Sequence, residues 1–323
     1  MKCLLLIVGM LGHISSYSQQ VLEFKDQVNL IPEGIAIHPK NGTIYISSIA
    51  QKKIIKITPD GRATNLTQDG QDGFLEGLGM KVDAKKNLLW ALSNIRKGNI
   101  FTSQIHAFDL ASGKTMHLYE ITDTVPRLFN DLVLDSRGAL LITDTYHSSL
   151  YKYEPATKKL EVFVKDTSKL KWPNGIDFLD KKTLVIATYG KGLVRVNVDT
   201  KEVSPLPGYQ DRTMAFGFDG LVVNGKHLYA VYNVGKDGYS SNAIVKYTLD
   251  EKKERVISET VIDKGNSAFA DPTTAAKYGN RLYVIANSHL SQFNANKETV
   301  VGIEGALEPL KLVMYGLGKG GDR

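Results

Sequence analysis

One short sequence phrase occurs six times along this chain of 323 residues. Each copy contains an acidic or amide residue, a small or turn-forming residue, an apolar strand, a polar turn and a second strand rich in Leu, Ile, Val and Tyr. The copies begin at Glu33, Glu76, Asn130, Asn174, Asp219 and Asp271, so that successive starts are 43 to 54 residues apart. A repeat of this length in a strand-rich chain is typical of a β-propeller, in which each repeat forms one blade. The sequence therefore predicts an all-β, six-bladed β-propeller.

Residues 1–18 have the pattern of a secretory signal peptide, with Lys2, an apolar run, and small residues at Ser16 and Ser18. The apolar run is too short to cross a bilayer. The only cysteine of the chain, Cys3, lies inside this segment. We therefore expect an exported protein, periplasmic or extracellular, with no disulfide and no membrane insertion after signal cleavage. Because the repeat continues without a break, residues 19–323 are expected to form a single propeller domain.

The composition is that of an ordinary globular domain, with 42% hydrophobic and 23% charged residues. The formal net charge of +6 arises from Lys and Arg residues that are scattered among acidic ones rather than gathered in a tract. The chain also contains no recognisable nucleic-acid-binding motif. We therefore expect no nucleic-acid partner.

The order of strands within a blade fixes which residues share a face of the ring. In an up-and-down meander, the start of the first strand, the end of the second and the loop into the third lie at the same end of the blade. This end carries residues 47–50, 93–97, 144–147, 188–191, 232–234 and 287–289. Ring closure requires one terminus to complete the last blade, and residues 21–24 are predicted to be its outermost strand, with 310–315 as its third.

Four of the strand starts bear oxygen atoms that suit a hard cation. Glu33 and Asp219 supply carboxylates, and Asn130 and Asn174 supply amide oxygens. Calcium accepts such mixed oxygen ligands, whereas magnesium retains more waters and zinc prefers His or Cys. Without a cation, the two carboxylates would repel each other across the channel. Taken singly, these residues are also common turn formers before a strand; as a set, they predict one divalent cation, with Ca²⁺ favoured.

Other residues on the same face are candidates to contact a substrate. Tyr146 and Tyr189 recur at corresponding loop positions, where a tyrosine either walls a pocket or packs between blades. His147 follows a second strand, where it is either a base or an ordinary surface histidine. The sequence has no glycine-rich phosphate loop, nucleophile elbow or Cys/His pair.

The strand-start segments EGIAIHP, FNDLVLD, WPNGIDF and FDGLVV resemble those of the gluconolactonase and regucalcin family of six-bladed calcium propellers, and more distantly those of paraoxonases and strictosidine-synthase-like proteins. The resemblance covers essentially all of the mature chain. It implies hydrolysis of a small-molecule lactone or ester around a divalent cation. It also implies that Glu33, Asn174 and Asp219 bind the metal, that Asn130 binds metal or substrate, and that Asp219 acts as acid or base.

The chain departs from these relatives at three positions. Arg127 stands three residues before Asn130, whereas the substrate-facing arginine of the family stands two residues before its asparagine. Glu76 replaces the catalytic histidine of paraoxonases, and Gly34 replaces a ligand of their second calcium ion.

The resulting hypothesis is that the ion stabilises the developing oxyanion while Asp219, Glu76 or the metal activates water. Its alternative is a non-catalytic ligand-binding or scaffold propeller, because this architecture serves many functions.

Overall fold

The computed structural model describes residues 19–209, 218–233 and 242–317. Its strands form six four-stranded antiparallel sheets. The innermost strand of each sheet contacts the innermost strands of the two neighbouring sheets, so the sheets form a closed ring. The prediction of a six-bladed propeller is therefore confirmed. Residues 1–18, the predicted signal peptide, lie outside the described part of the chain.

Within each blade the strands follow the chain from the central channel outwards, except in the last. Blade 1 contains β2 (Pro32–Ile37), β3 (Ile44–Ser48), β4 (Ile54–Ile57) and β5 (Ala63–Asn65). Blade 2 contains β6 (Glu76–Asp83), β7 (Leu88–Lys97), β8 (Ile100–Asp109) and β9 (Thr115–Asp123). Blade 3 contains β10 (Phe129–Leu134), β11 (Leu140–Asp144), β12 (Ser149–Glu154) and β13 (Lys159–Lys165). Blade 4 contains β14 (Pro173–Phe178), β15 (Thr183–Thr188), β16 (Gly192–Asn197) and β17 (Val203–Pro205). Blade 5 contains β18 (Phe218–Asn224), β19 (His227–Tyr232), β20 (Ala243–Leu249) and β21 (Val256–Lys264). Blade 6 contains β22 (Ala275–Tyr278), β23 (Arg281–Ile285), β24 (Leu310–Gly316) and β1 (Gln19–Phe24).

The two ends of the described chain meet in the sixth blade. Strand β1 pairs antiparallel with β24, from Gln19 opposite Tyr315 to Phe24 opposite Leu310. The N-terminal strand is thus the outermost strand of the last blade, as the sequence predicts. Pairing of the first strand with the last closes the ring by hydrogen bonds.

A helical insert interrupts the sixth blade between β23 and β24. It contains the short helix α1 (Leu290–Ala295) and a 3₁₀ turn at Glu304–Ala306. A second 3₁₀ turn lies at Gln71–Gly73, before β6. In the described part of the chain, no helix has both the length and the apolar character needed to cross a membrane.

Six hydrophobic clusters each fill the space between two neighbouring blades. Strand β7 shows how one strand serves two clusters: Leu89 and Ala91 pack towards blade 1, whereas Trp90 and Leu92 pack towards blade 3. Successive side chains of a strand point to opposite faces, and here both faces are buried. This arrangement explains why the second strands read as nearly continuous apolar runs rather than as alternating ones.

His106 of β8 is a buried histidine without a place in the channel. Its ring stacks on Phe108 at 5.2 Å and meets the edge of Phe74 at 5.3 Å, measured between ring centroids. Burial lowers the pKa of His106 from 6.5 to about 4, because the charged imidazolium would lose its hydration. Between these pH values the unfolded chain binds more protons than the folded one, so the free energy of unfolding decreases as the pH falls.

We expect His106→Gln to reduce the acid sensitivity of the fold. The wild-type histidine should cost about 3 kcal/mol of stability on going from pH 7 to pH 4, and the neutral amide should cost none. Urea unfolding of both proteins across this range measures the difference. Parallel stability curves for the two proteins would contradict the expectation.

Candidate metal centre and active site

Five of the six innermost strands contain a β-bulge at the same position. The pairing with the second strand shifts register so that two residues are left between the paired positions. These bulge pairs are Glu33–Gly34, Leu78–Gly79, Asn130–Asp131, Asn174–Gly175 and Asp219–Gly220. A bulge bends the strand and redirects its side chains, and such features often lie beside active sites. The repeated phrase of the sequence therefore encodes a repeated bulge.

The glycines of these pairs allow the innermost strands to approach one another closely. A Cβ atom on Gly34 would lie 2.0 Å from the carbonyl oxygen of Leu78 in the next blade. On Gly220 it would lie 2.5 Å from the Cα atom of Thr274. Because these neighbours are backbone atoms that cannot rotate away, only glycine fits. In the four pairs that contain a glycine, that residue thus lets the inner strands approach; in blade 3 Asp131 occupies the second position and lines a small space at the channel.

We expect Gly34→Ala to destabilise the ring by about 3 kcal/mol or more, because the added methyl group overlaps a fixed carbonyl. Gly305→Ala is the matched control: no atom lies within 4 Å of the Cβ that it would add, and Gly305 is absent from the positive-φ residues. Thermal unfolding of both variants measures the effect. Equal melting temperatures would show that the inner strands can move apart without cost.

The four predicted ligands meet at the channel. Glu33, Asn130, Asn174 and Asp219 line one small space together with Asp131. Their exposed fractions are 9%, 9%, 3% and 2%, in that order. The space has a volume of about 20 Å³, which accommodates an occupant about the size of one water molecule.

Of the three carboxylates that line this space, Asp131 accepts the backbone N–H groups of Leu132 and Ile176, whereas Glu33 and Asp219 are poorly stabilised by the protein alone. Oε2 of Glu33 is buried and has no hydrogen-bond partner. Burial raises the pKa of Glu33 well above its usual value, and the nearby charge of Asp219 raises it further. A buried acceptor without a donor is costly, so this atom is free to bind a cation.

Asp219 is surrounded by hydrogen-bond donors. Asn233, Tyr189 and Asn174 all hydrogen-bond to its carboxylate. Burial nevertheless raises the pKa of Asp219 to about 7, because the donors offset only part of the lost hydration. A carboxyl group with a pKa near neutrality can accept and return a proton.

The donor set fits a hard divalent cation better than a soft one. In the described residues, no three Asp, Glu, His or Cys side chains are grouped closely enough to hold a metal by themselves. Here two carboxylates are combined with two amide side chains, Asn130 and Asn174, and this mixture of oxygens suits calcium rather than zinc. Asn130 donates through Nδ2 to Thr145 Oγ1 at 3.2 Å, which leaves its carbonyl oxygen free.

A larger cavity of about 320 Å³ lies against the oxygen cluster. Glu33, Asn130, Asn174 and Asp219 belong to its wall as well as to that of the small space. Its other lining residues are Ile49, Glu76, Leu78, Asn94, Leu128, Thr145, Tyr146, Tyr189, Leu290, Phe293, Asn294 and Glu298. The predicted contact residues Tyr146 and Tyr189 and the candidate acid Glu76 are therefore in this wall.

Glu76 does not occupy the bulge position that the repeated phrase suggests. It pairs with Asn94 and precedes the bulge by two residues, so that Leu78 occupies the position that Glu33 has in blade 1. The Glu-Gly dipeptide at Glu76 matches the sequence pattern of the other bulges, but the bulge of this strand forms two residues later. Burial raises the pKa of Glu76; Lys52 opposes this shift, and Glu298 adds to it.

Asp271 does not join the cluster. The sixth innermost strand begins only at Ala275, and Asp271 adopts a left-handed conformation before it, with φ of 57°. Its carboxylate accepts the backbone N–H of Ser291 at 2.9 Å, in the helical insert. The copy of the phrase at Asp271 therefore contributes no oxygen to the cluster, and Thr274 lines the small space in the sixth blade.

Arg127 and His147 do not line the cavity either. The Nη1 atom of Arg127 lies 3.0 Å from Oδ2 of Asp123, and its Nε atom lies 3.7 Å from Oδ2 of the buried Asp144. The Nδ1 atom of His147 is hydrogen-bonded to the hydroxyl group of Tyr151 at 3.0 Å. Arg127 and His147 therefore belong to a polar cluster outside the cavity, together with Asp123, Asp144 and Tyr151.

The alternation of a strand explains the position of Arg127. Side chains two residues apart share a face, and Leu128, two residues before Asn130, lines the cavity. Arg127, three residues before Asn130, points to the other side. Sequence reasoning missed three polar residues of the site: Asn233 and Thr145 directly follow second strands, and Asn94 lies within β7. It also missed Leu290 and Phe293, whose approach to the cavity depends on how the insert packs.

Another cavity of the described residues, larger than the one at the oxygen cluster, lies elsewhere. It has a volume of about 890 Å³ and is lined by the turn residues Asp135 and Arg137 of blade 3 and Asp180 of blade 4. These turns connect first to second strands, so they lie at the end of the ring opposite the oxygen cluster. This groove shares no lining residue with the metal centre.

Comparison with known proteins adds a family and a fold. A family model described as the SMP-30/gluconolactonase/LRE-like region matches residues 31–224. At the level of sequence, no curated protein is significantly similar to this chain.

Several solved structures share the fold. A gluconolactonase from Xanthomonas campestris is 16% identical with a TM-score of 0.61, over 92% of this chain and 90% of that one. Regucalcin from Agrobacterium tumefaciens, described as a calcium-binding protein, is 17% identical with a TM-score of 0.60, over 94% and 96%. Virginiamycin B lyase from Staphylococcus aureus is 15% identical with a TM-score of 0.56, over 93% and 99%. At such identities the likeness is one of fold, which these proteins use for different chemistry.

Proposed function

Because this chain belongs to the SMP-30/gluconolactonase/LRE-like family, we propose that it is a hydrolase of lactones or related esters that depends on a divalent cation, with calcium as the metal. The observation that carries the proposal is the convergence of Glu33, Asn130, Asn174 and Asp219 on one small space at the base of a cavity. These residues come from four different blades. A scaffold propeller has no need to gather buried carboxylates at one point of its channel.

The same four residues would hold the cation. The unpartnered Oε2 atom of Glu33 and the free amide oxygen of Asn130 support this assignment. When bound, a divalent cation would supply Lewis-acid polarisation of the substrate carbonyl and neutralise the paired carboxylates. A substrate in the cavity of about 320 Å³ would lie directly against this centre.

The protein residues supply the proton chemistry of hydrolysis. A water molecule adds to the substrate carbonyl carbon and gives its proton to the carboxylate of Asp219. The carbonyl is then restored, the ring C–O bond breaks, and the proton passes to the departing oxygen to give a hydroxy acid. A bound cation would lower the pKa of Asp219 from its metal-free value of about 7, and so keep this carboxylate ionised as the proton acceptor. Asn233 and Tyr189 hold the carboxylate in one orientation.

Glu76 is the second candidate for proton transfer. It lines the cavity but not the small space, so it faces the substrate rather than the proposed metal. Its pKa is raised, first by burial, and this shift favours proton exchange with the substrate.

A panel of lactones and aryl esters, assayed with calcium and then with excess chelator, tests the proposed function. We expect turnover of lactones with calcium, its loss with chelator and its return when calcium is added back. Binding of lactones without turnover in any condition would instead favour a ligand-binding propeller. Turnover that is unaffected by chelation would exclude the cation from the reaction.

We also propose that the protein is exported, which rests on the signal-like pattern of residues 1–18. Sequencing the N-terminus of the protein recovered outside the cytoplasm tests this, with Gln19 as the expected first residue. An intact N-terminus beginning at Met1 would contradict it.

A further inference from the structure

The wall of the larger cavity has an apolar side and a polar side. The apolar residues come from the first three blades and from the insert in the sixth: Ile49, Leu78, Leu128, Leu290 and Phe293. The polar residues near the proposed metal are Glu33 of the first blade and Asn130, Thr145, Asn174, Tyr189 and Asp219 of the third, fourth and fifth blades. Glu76 and Asn94 of the second blade add polar groups to the wall. A ligand in this cavity therefore meets the oxygen cluster at one end and a continuous hydrocarbon surface along part of the wall.

All five apolar lining residues belong to one hydrophobic cluster. Ile49, Leu78 and Phe293 are buried in it, and Leu128 and Leu290 are partly buried against it. This cluster is separate from the six that join neighbouring blades. It forms because the insert folds back over the ring and brings α1 against the first strands of the chain. The apolar side is thus one continuous surface.

The insert distributes its residues according to polarity. Leu290 and Phe293 of α1 face the cavity, whereas Asn294 and Glu298 line its rim and are exposed to solvent. A helix presents side chains three residues apart on the same face, which accounts for the pairing of Leu290 with Phe293. Hydrocarbon therefore lies inside the cavity and polar groups lie at the entrance.

We propose that the substrate is a lactone or ester with an apolar substituent, and that Leu290, Phe293 and Leu128 determine this specificity by binding the hydrocarbon. This inference rests on the proposed function and narrows its substrate class. A polyhydroxylated lactone would place its hydroxyl groups against the apolar side and leave them without partners, which is costly for binding. An alkyl substituent would displace water from the same surface and gain from its burial.

The test is the dependence of kcat/KM on chain length. We expect kcat/KM for δ-lactones with substituents from methyl to hexyl to rise about 3-fold for each methylene group that the apolar side buries. Glucono-δ-lactone should be the poorer substrate. Leu290→Gln should flatten the rise, because it removes hydrocarbon from the surface that the substituent contacts. Leu128→Gln, on another blade, gives a second variant that does not depend on the integrity of α1.

Val301→Gln is the matched control, because Val301 belongs to the same insert but is 72% exposed and lines no part of the cavity. It should keep the full dependence on chain length. Turnover that is independent of chain length, or that favours glucono-δ-lactone, would overturn the inference and leave the proposed function standing.

Absence of any hydrolysis would instead contradict the proposed function, and binding then decides the inference. Alkyl-substituted δ-lactams are not hydrolysed, and their Kd can be measured by calorimetry in the presence of calcium. Affinity that rises with chain length in the wild type but not in Leu290→Gln would support the apolar subsite. Affinity that does not change with chain length would refute it.

Discussion

Asp219→Asn is expected to reduce lactone hydrolysis by about 10³-fold, since it removes the proposed proton acceptor. Asn has the size and shape of Asp and keeps one oxygen that can accept a hydrogen bond from Asn233. The substitution therefore changes the charge and basicity of the group more than its packing. Steady-state kinetics at saturating calcium measure the loss, and far-UV circular dichroism verifies that the sheets are intact.

Asp271→Asn is the control, because Asp271 occupies the same place in the repeated phrase but lies outside both the small space and the larger cavity. The side chain of Asp271 accepts a hydrogen bond from the backbone N–H of Ser291, and an asparagine oxygen can accept the same bond. This variant should retain full activity. Unchanged activity of Asp219→Asn would remove that residue from the proton transfers, and Glu76→Gln would then be the decisive variant.

Much of the fold was predictable because its information is local and repeated. The spacing of the strand starts predicts six blades, and the strand left over at the N-terminus predicts the closure by β1 and β24. The four oxygen residues were also predictable as a group, since equivalent positions of equivalent strands must lie at the same depth in a ring. Arg127 could have been placed correctly by counting alternate residues back from Asn130.

The rest of the site depends on register and on distant packing. The Glu-Gly dipeptide at Glu76 satisfies the sequence motif, yet the bulge forms at Leu78 and Gly79, because that glycine passes close to the backbone of Asn130 and Asp131. A single sequence does not reveal which glycine makes the close approach. The contact of Phe293 with Ile49 and Leu78 joins residues more than two hundred positions apart, and no local pattern predicts it.

The last prediction concerns the stability of the protein without its proposed cation. Burial and the charge of Asp219 raise the pKa of Glu33 well above its usual value, and burial, with a smaller contribution from the charge of Asp131, raises that of Asp219 to about 7. The folded state therefore binds more protons than the unfolded state between about pH 4 and pH 7. In the presence of a chelator, this pair should make the free energy of unfolding decrease as the pH rises through that range.

Asp219→Asn should then have opposite effects on stability in two conditions. With chelator at pH 8, we expect the variant to be more stable than the wild type by a few kcal/mol, because one of two uncompensated buried charges is gone. The difference should disappear near pH 4, where both carboxyl groups are protonated. With calcium, the wild type should gain stability and the variant should gain little, since the variant lacks one of the two carboxylates. Calorimetric melting in four conditions, with and without calcium at each pH, measures this reversal. The contribution of His106 is common to both proteins and cancels in the comparison. Because turnover plays no part in the measurement, melting temperatures of wild type and Asp219→Asn that respond alike to calcium and to pH would show that Glu33 and Asp219 do not form a cation site, whatever reaction the cavity supports.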